Sequence, residues 1–454
     1  MRNRVWIALA LASALGLSGC GGGGNPSAPT LSTVASVNAA STAPTAPPSG
    51  GFKQVVAFGD SLSDDGAYTL AAISTYGASV PFTGLPYPAG GQFTVNGDTT
   101  GNWTGVLAAS LNVGLTPNVI GYGTTSGVMY LGTSGPTPTP TVCAFSAPAA
   151  SGQATCTNFA QGGSMVSNPI GIGNPMNTAN PGGALTYPVT QQIQNYLDQF
   201  GGSFNGNQLV TVLAGNNDIF TALGTVSATV TQAVTQAVSS ALQQNPNLTQ
   251  AQIASIKATA QHDATSQAVA VAQATVAQAA DELAAQVNLI TSKGAKYVLV
   301  YTLPDSSLTP FGRGLPYTGM TPPQAPPAGY VCDNKSTSTP CYLLSNLVQV
   351  FNQRLLNDLQ GQPVKVLDGY SLLNQEIANP SQFGFTNVTT PWCNPAMTSS
   401  LLCNVNTPNT AAVASTANLG TWLFADSVHP TPAGYKVIAS STLQAMKGFG
   451  WISQ

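Results

Sequence analysis

Two histidines occur in the 454 residues, and one of them, His429, follows an aspartate by three positions in Asp426-Ser427-Val428-His429-Pro430. In a turn, this spacing lets the carboxylate bond one imidazole nitrogen and fix the tautomer, while the other nitrogen faces outward as a base. The same residues also suit a capped helix start with proline in its first turn. A base needs a nucleophile, and Phe58-Gly59-Asp60-Ser61-Leu62-Ser63-Asp64 offers one. Ser61 is expected where a strand turns into a helix, with its hydroxyl presented and its N–H near the positive helix end, where an oxyanion is favoured. A plain helix N-cap is the structural alternative. Two further segments offer donors for an oxyanion. In Asn158-Phe159-Ala160-Gln161-Gly162-Gly163-Ser164, adjacent glycines let backbone approach a substrate and leave an N–H unshielded. In Gly215-Asn216-Asn217-Asp218, the Asn217 amide can donate without carrying charge. Taken singly, each is an ordinary turn. The other histidine, His262, falls mid-helix off the Ile253/Ile256 stripe and is expected to face solvent.

Two of these segments follow short apolar runs. Residues 54–58 (QVVAF) precede Ser61, and residues 209–213 (LVTVL) precede Asn217. Residues 296–301 (KYVLVY) and 364–367 (VKVL) read the same way. Continuous β-branched strands separated by helical segments predict a parallel sheet covered on both faces. The fold class is therefore a doubly wound, flavodoxin-like α/β architecture, whose sites lie beyond the carboxyl ends of the strands. Between the second and third strands lies an enlarged Ala-rich helical block, residues 219–292. Val230, Val234 and Val238 repeat at helical spacing, Asn245-Pro246-Asn247 breaks the run, and Thr249-Gln250-Ala251-Gln252 forms a capping-box pattern. Val269, Val276, Leu283 and Ile290 then recur every seven residues. This stripe is expected to pack against the sheet, with a lid or lipid-contact arm as the alternative. Residues 80–150 and 305–345 read as loop-rich.

Charged residues make up only 6% of the chain, with 12 Lys plus Arg against 15 Asp plus Glu. No basic cluster exists to track phosphates, which excludes nucleic acid as a partner, and a polybasic membrane contact is excluded on the same ground. Residues 1–19 carry two arginines, an apolar run and small residues, as an export signal does. Leu17-Ser18-Gly19-Cys20 is similar to the bacterial lipoprotein box, in which the cysteine is acylated. Residues 20–51, rich in Gly, Ser, Pro, Thr and Ala, are expected to form a flexible linker. The globular domain then spans 52–454. This predicts a lipid anchor at Cys20 and, with Gly21 in place of aspartate, the outer membrane; ordinary secretion is the alternative. Six cysteines remain, and their short separations favour the pairs Cys143–Cys156, Cys332–Cys341 and Cys393–Cys403. No Cys/His cluster suggests a metal.

Together the four segments resemble the blocks of the GDSL (SGNH) serine hydrolases: a GDS motif, a Gly block, a GxND motif and a DxxH motif. Gly91-Gln92-Phe93-Thr94, Asn96-Gly97, Leu303-Pro304-Asp305 and Phe351-Asn352-Gln353 extend the likeness across residues 52–447. The autotransporter-type GDSL esterases and lecithin-dependent haemolysin-like lipases are the similar subgroup. The resemblance implies a three-layer α/β/α fold and a carboxylic ester hydrolase that needs no cofactor. Its nucleophile would be Ser61, its base His429, and its orienting acid Asp426. The oxyanion hole would be the Ser61 N–H, the Gly163 N–H (Gly162 being the alternative) and the Asn217 amide. Expected substrates are short-chain or lysophospholipid-type esters. Acyl transfer, polysaccharide deacetylation and non-catalytic surface binding stand as alternatives.

Overall fold

The computed structural model describes residues 31–68, 91–97, 101–122, 140–142, 153–169, 171, 187–314, 340–394, 400–406, 408–409 and 416–453. In chain order the main elements are α1 (Leu31–Ala40), β1 (Gln54–Gly59), α2 (Trp103–Ser110), β2 (Val119–Tyr122), β3 (Pro140–Val142) and α3 (Val189–Gln199). There follow β4 (Gln208–Leu213), α4 (Asn216–Gln244), α5 (Gln250–Ser292), β5 (Tyr297–Tyr301), α6 (Pro340–Asp358), β6 (Lys365–Leu367), α7 (Gly369–Ala378) and α8 (Pro432–Gly448).

The four expected runs all form strands, and they pair in parallel in the order β1-β4-β5-β6. Every residue of these strands is buried. Successive side chains of a strand point to opposite faces, so helices must cover both sides, giving the three-layer arrangement. Beyond β1 the chain passes again as a short parallel fifth position: Ala57 N–H donates to Thr157 O (3.0 Å), and Phe159 N–H donates to Ala57 O (2.8 Å). With that segment counted, the order is 2-1-3-4-5, and the reversal falls at β1, where such folds place their sites. β2 and β3 form a separate antiparallel ribbon.

Two expectations change. Residues 31–51 are not a free tether. Val34 and Val37 of α1 are buried in the main core. The Asn38 side chain accepts from Val366 N–H (2.7 Å) and donates to Val366 O (2.7 Å). An amide so placed supplies the open edge of β6 with the partners that a further strand would have provided. Trp451 Nε1 donates to Pro44 O (2.6 Å) and Tyr297 Oη to Ala46 O (2.9 Å), tying the rest of the segment down. The low-complexity composition concealed this, because the attachment is made by a few side chains and not by a periodic stripe. Residues 1–30, with the expected signal and Cys20, lie outside the described residues.

The Ala-rich block forms two long helices, broken at Asn245 and restarted by the capping box: Gln252 N–H donates to Thr249 Oγ1 (3.3 Å), and Thr249 N–H donates to Gln252 Oε1 (2.9 Å). Val276, Leu283 and Ile290 are buried in the core that includes the sheet, with Val269 packed at its margin. Between 231 and 267, however, no residue is buried. The ends of α4 and α5 therefore project as an antiparallel arm, and His262 lies exposed on it. Cys393 and Cys403 form the expected disulfide. Cys156 and Cys341 are also disulfide-bonded, while Cys143 and Cys332 lie outside the described residues.

Candidate active site

Ser61 leaves the end of β1 on a turn, and the turn is built by its acidic neighbours. Asp60 accepts Leu62 N–H with one oxygen (3.0 Å) and the Asn216 amide with the other (3.0 Å). Asp64 accepts from Gly66 (2.9 Å), Ala67 (2.7 Å) and Gly162 (2.9 Å). Burial pushes Asp64 up to about 7, against the pull of these N–H groups. Residues 61–68 form turns, and the residues directly after them, where a helix is expected, lie outside the described residues. The nearby helix N-terminus is that of α4, and Asn217 lies in its first turn.

Residues 368 positions apart meet here. His429 Nε2 lies 2.8 Å from Ser61 Oγ, and its Nδ1 lies 2.8 Å from Asp426 Oδ2. Asp426 is fully engaged. Its Oδ1 accepts from Val428 N–H (2.9 Å) and His429 N–H (2.7 Å), and its Oδ2 accepts from Ser400 N–H (3.2 Å). Burial by itself would raise the pKa of Asp426; the facing imidazole and these hydrogen bonds outweigh it and hold the carboxyl well below the usual carboxylate range. His429 is only 3% exposed. The Phe93 ring packs 5.1 Å from the imidazole centroid, and Ser400 Oγ stands 3.4 Å from Nδ1. An anionic acid, an oriented imidazole and a hydroxyl in line are equipped to move one proton.

Asn217 lines the same cleft as Ser61 and His429. Gly162 spends its N–H on Asp64, and a Cβ there would stand 2.1 Å from the Phe93 ring. Gly163 adopts φ +81°, a conformation that side chains rarely accept. Of the two, Gly163 is the one whose N–H is not spent on a described carboxylate. Asn217 Nδ2 donates to Ser164 O (2.8 Å), which fixes the amide plane and leaves its second hydrogen for the cleft. Asp218 accepts Val166 N–H (3.1 Å) and joins the same loop to α4.

Ser400 and Phe93 are supporting residues that the sequence reading did not assign. Ser400 carries no signal, since it sits in a loop 26 residues before its partner. Phe93 lies in a segment quoted only for its likeness to other chains. Beside Ser61 and His429 opens a cleft of about 870 Å³ including its mouth, lined largely by apolar groups such as Leu213, Phe220, Leu373, Leu423 and Ile438.

Comparison with known proteins shows the family. A family model described as GDSL-like Lipase/Acylhydrolase matches residues 55–442, a span holding all of these residues. An "Uncharacterized protein in trpE-trpG intergenic region" of Pseudomonas putida is 33% identical over 168 residues, 37% of this chain and 24% of that protein. A "GDSL esterase/lipase APG" of Arabidopsis thaliana is 34% identical over 109 residues, 22% of this chain and 30% of the relative. The chain thus spans less than a third of the length of either relative. The family match runs through the sheet and every block of the candidate site, and on that basis the chain belongs to the GDSL-like lipase/acylhydrolase family.

Proposed function

We propose that the protein is a carboxylic ester hydrolase working through Ser61, His429 and Asp426. The observation that carries this reading is the unbroken chain Ser61 Oγ–His429 Nε2 and His429 Nδ1–Asp426, each link 2.8 Å. A serine hydroxyl is a weak nucleophile until a base takes its proton. His429 takes that proton as Oγ bonds to the ester carbonyl carbon, and the carbonyl oxygen becomes the oxyanion. The Ser61 N–H, the Gly163 N–H and the Asn217 amide are the donors assigned to receive it. The imidazolium then hands the proton to the departing alkoxide as the C–O bond breaks, leaving an acyl-serine. Water, deprotonated by the same imidazole, releases the acid and restores the serine. Asp426 stays ionised throughout and holds the productive tautomer.

The apolar cleft is the seat for the acyl group, which favours lipid-like esters, including lysophospholipids. A lipid on Cys20, supported by the sequence of residues 1–20, would keep the enzyme at the outer membrane beside such substrates. The test is hydrolysis of chromogenic esters by wild type and Ser61→Ala. A loss of turnover in a variant that still folds is expected; equal rates would remove the proposal.

A further inference from the structure

No hydrogen bond ties Glu376 Oε1 to the fold. It lies on α7, whose residues Gly369, Leu372, Leu373 and Glu376 form one helical face and line the cleft beside Ser61 and His429. Residues 369 and 376 are two turns apart, so this face runs roughly 10 Å along the cleft wall. Three of the four positions carry no polar side-chain atom. The fourth carries a carboxyl that is 3% exposed. Its Oε1 has no hydrogen-bond partner. Burial, with nothing opposing it, pushes the carboxyl up to about 8, so the group is predominantly neutral at physiological pH. Tyr301, whose hydroxyl feels the Glu376 charge, turns its Oη to Thr442 Oγ1 (2.6 Å).

A buried polar group without a partner is a standing cost, and leucine or methionine would fill the same volume without it. Glu376 lines the cleft beside Ser61 and His429, so the missing partner is one the substrate can bring. A plain alkyl chain would cover Glu376 and leave it unsatisfied. A neutral carboxyl offers both an O–H donor and a carbonyl acceptor, and a hydroxyl group answers both. A cationic group would need the ionised carboxylate, which this apolar wall disfavours. We propose that the cleft selects acyl groups bearing a hydroxyl on the chain, and that Glu376 is the residue that receives it. This rests on the esterase reading above and narrows its substrate class to hydroxyacyl esters.

The test compares kcat/KM for chromogenic esters of hexanoic acid and of hexanoic acids hydroxylated at successive chain carbons. The enzymes compared are wild type, Glu376→Leu and Glu376→Gln, with Ser61→Ala as the blank. Wild type should prefer one hydroxyl position over the plain chain by roughly tenfold to a hundredfold, since a site built to bond a hydroxyl rejects the analogue lacking it. Glu376→Leu should lose the preference and melt at a higher temperature, because the carboxyl contributes no bond to the fold. Glu376→Gln, which keeps a donor and an acceptor, should retain much of the preference. The same hydroxyl-to-plain ratio in wild type and Glu376→Leu would overturn the assignment. So would a Glu376→Leu chain that fails to fold, since the carboxyl would then serve the structure. If wild type cleaves no ester faster than Ser61→Ala, the esterase reading itself fails. The cleft is then probed by the melting shifts that free hydroxylated and plain hexanoic acids give with Ser61→Ala. Equal shifts would overturn selection by Glu376, and a larger shift with the hydroxylated acid would sustain it.

Discussion

Replacing Asp426 by asparagine tests the geometry at its most specific point. Oδ1 of Asp426 accepts two backbone N–H groups, from Val428 and His429, so the carbonyl oxygen of an asparagine must stay on that side. Its NH2 group is then forced into the position of Oδ2, which faces His429 Nδ1 at 2.8 Å and Ser400 N–H at 3.2 Å. Toward Nδ1 the amide can only donate, so the imidazole must carry its proton on Nε2, the nitrogen that has to accept from Ser61. Toward Ser400 it sets one N–H against another. The first effect removes the base in its working form; in a serine protease the same exchange lowers kcat about 10⁴-fold, equivalent to ~5.5 kcal/mol of barrier. The second replaces a bond to a charged acceptor by a mismatch and should cost about 1.5–3 kcal/mol of stability. The assay is steady-state hydrolysis of a chromogenic ester beside a urea unfolding curve. A folded Asp426→Asn protein with near-normal kcat would refute the reasoning, because another acid would then be orienting His429.

Asn217→Ala should lower kcat by about 10²–10³ with little change in KM, since the amide is proposed to meet charge present only in the transition state; a change confined to KM would remove it from the oxyanion hole. Glu376 predicts a pH effect of definite sign. Its carboxyl titrates near about 4.3 in the unfolded chain and is pushed up to about 8 when folded. The native state thus holds the proton across that window, and its contribution is full below the lower value and is lost as pH rises through the upper one. Glu376→Gln should flatten the fall in stability between about pH 5 and about pH 8, by up to ~1.4 kcal/mol per pH unit; unfolding curves of unchanged slope would count against the burial argument. Cys20→Ser should move the protein from the membrane fraction to the soluble one, and persistent sedimentation with membranes would rule out the lipid anchor.

The sheet was legible because its strands are largely apolar on both faces, and a run such as LVTVL has few other fates in a folded domain. The meeting of residues 61 and 429 was legible for a chemical reason, since a Ser, an Asp-x-x-His and neutral donors serve one reaction together. What lay hidden was held by single side chains with no pattern. Nothing in Ser400 marks it as a support for Asp426, and nothing in Glu376 distinguishes it from the polar residues of an ordinary helix until its neighbours are known. Asn38 belongs to the same class: one amide satisfying one strand edge leaves no periodicity to read. The projecting arm was concealed differently. Its alanines and valines continue the packed stripe, and the sequence does not say where the core beneath them ends.

Were Cys20 lipidated, the docked α1 would set the length of the leash. Were the body to begin at residue 52, a lipid on Cys20 would let it roam roughly 110 Å from the bilayer at full extension. With Val34 in the core and Asn38 bonded to β6, only 14 chain steps separate Cys20 from the first buried residue of α1, a reach of at most about 50 Å. An enzyme so moored would rest close against its own membrane, confined to esters in that lipid leaflet or passing just above it.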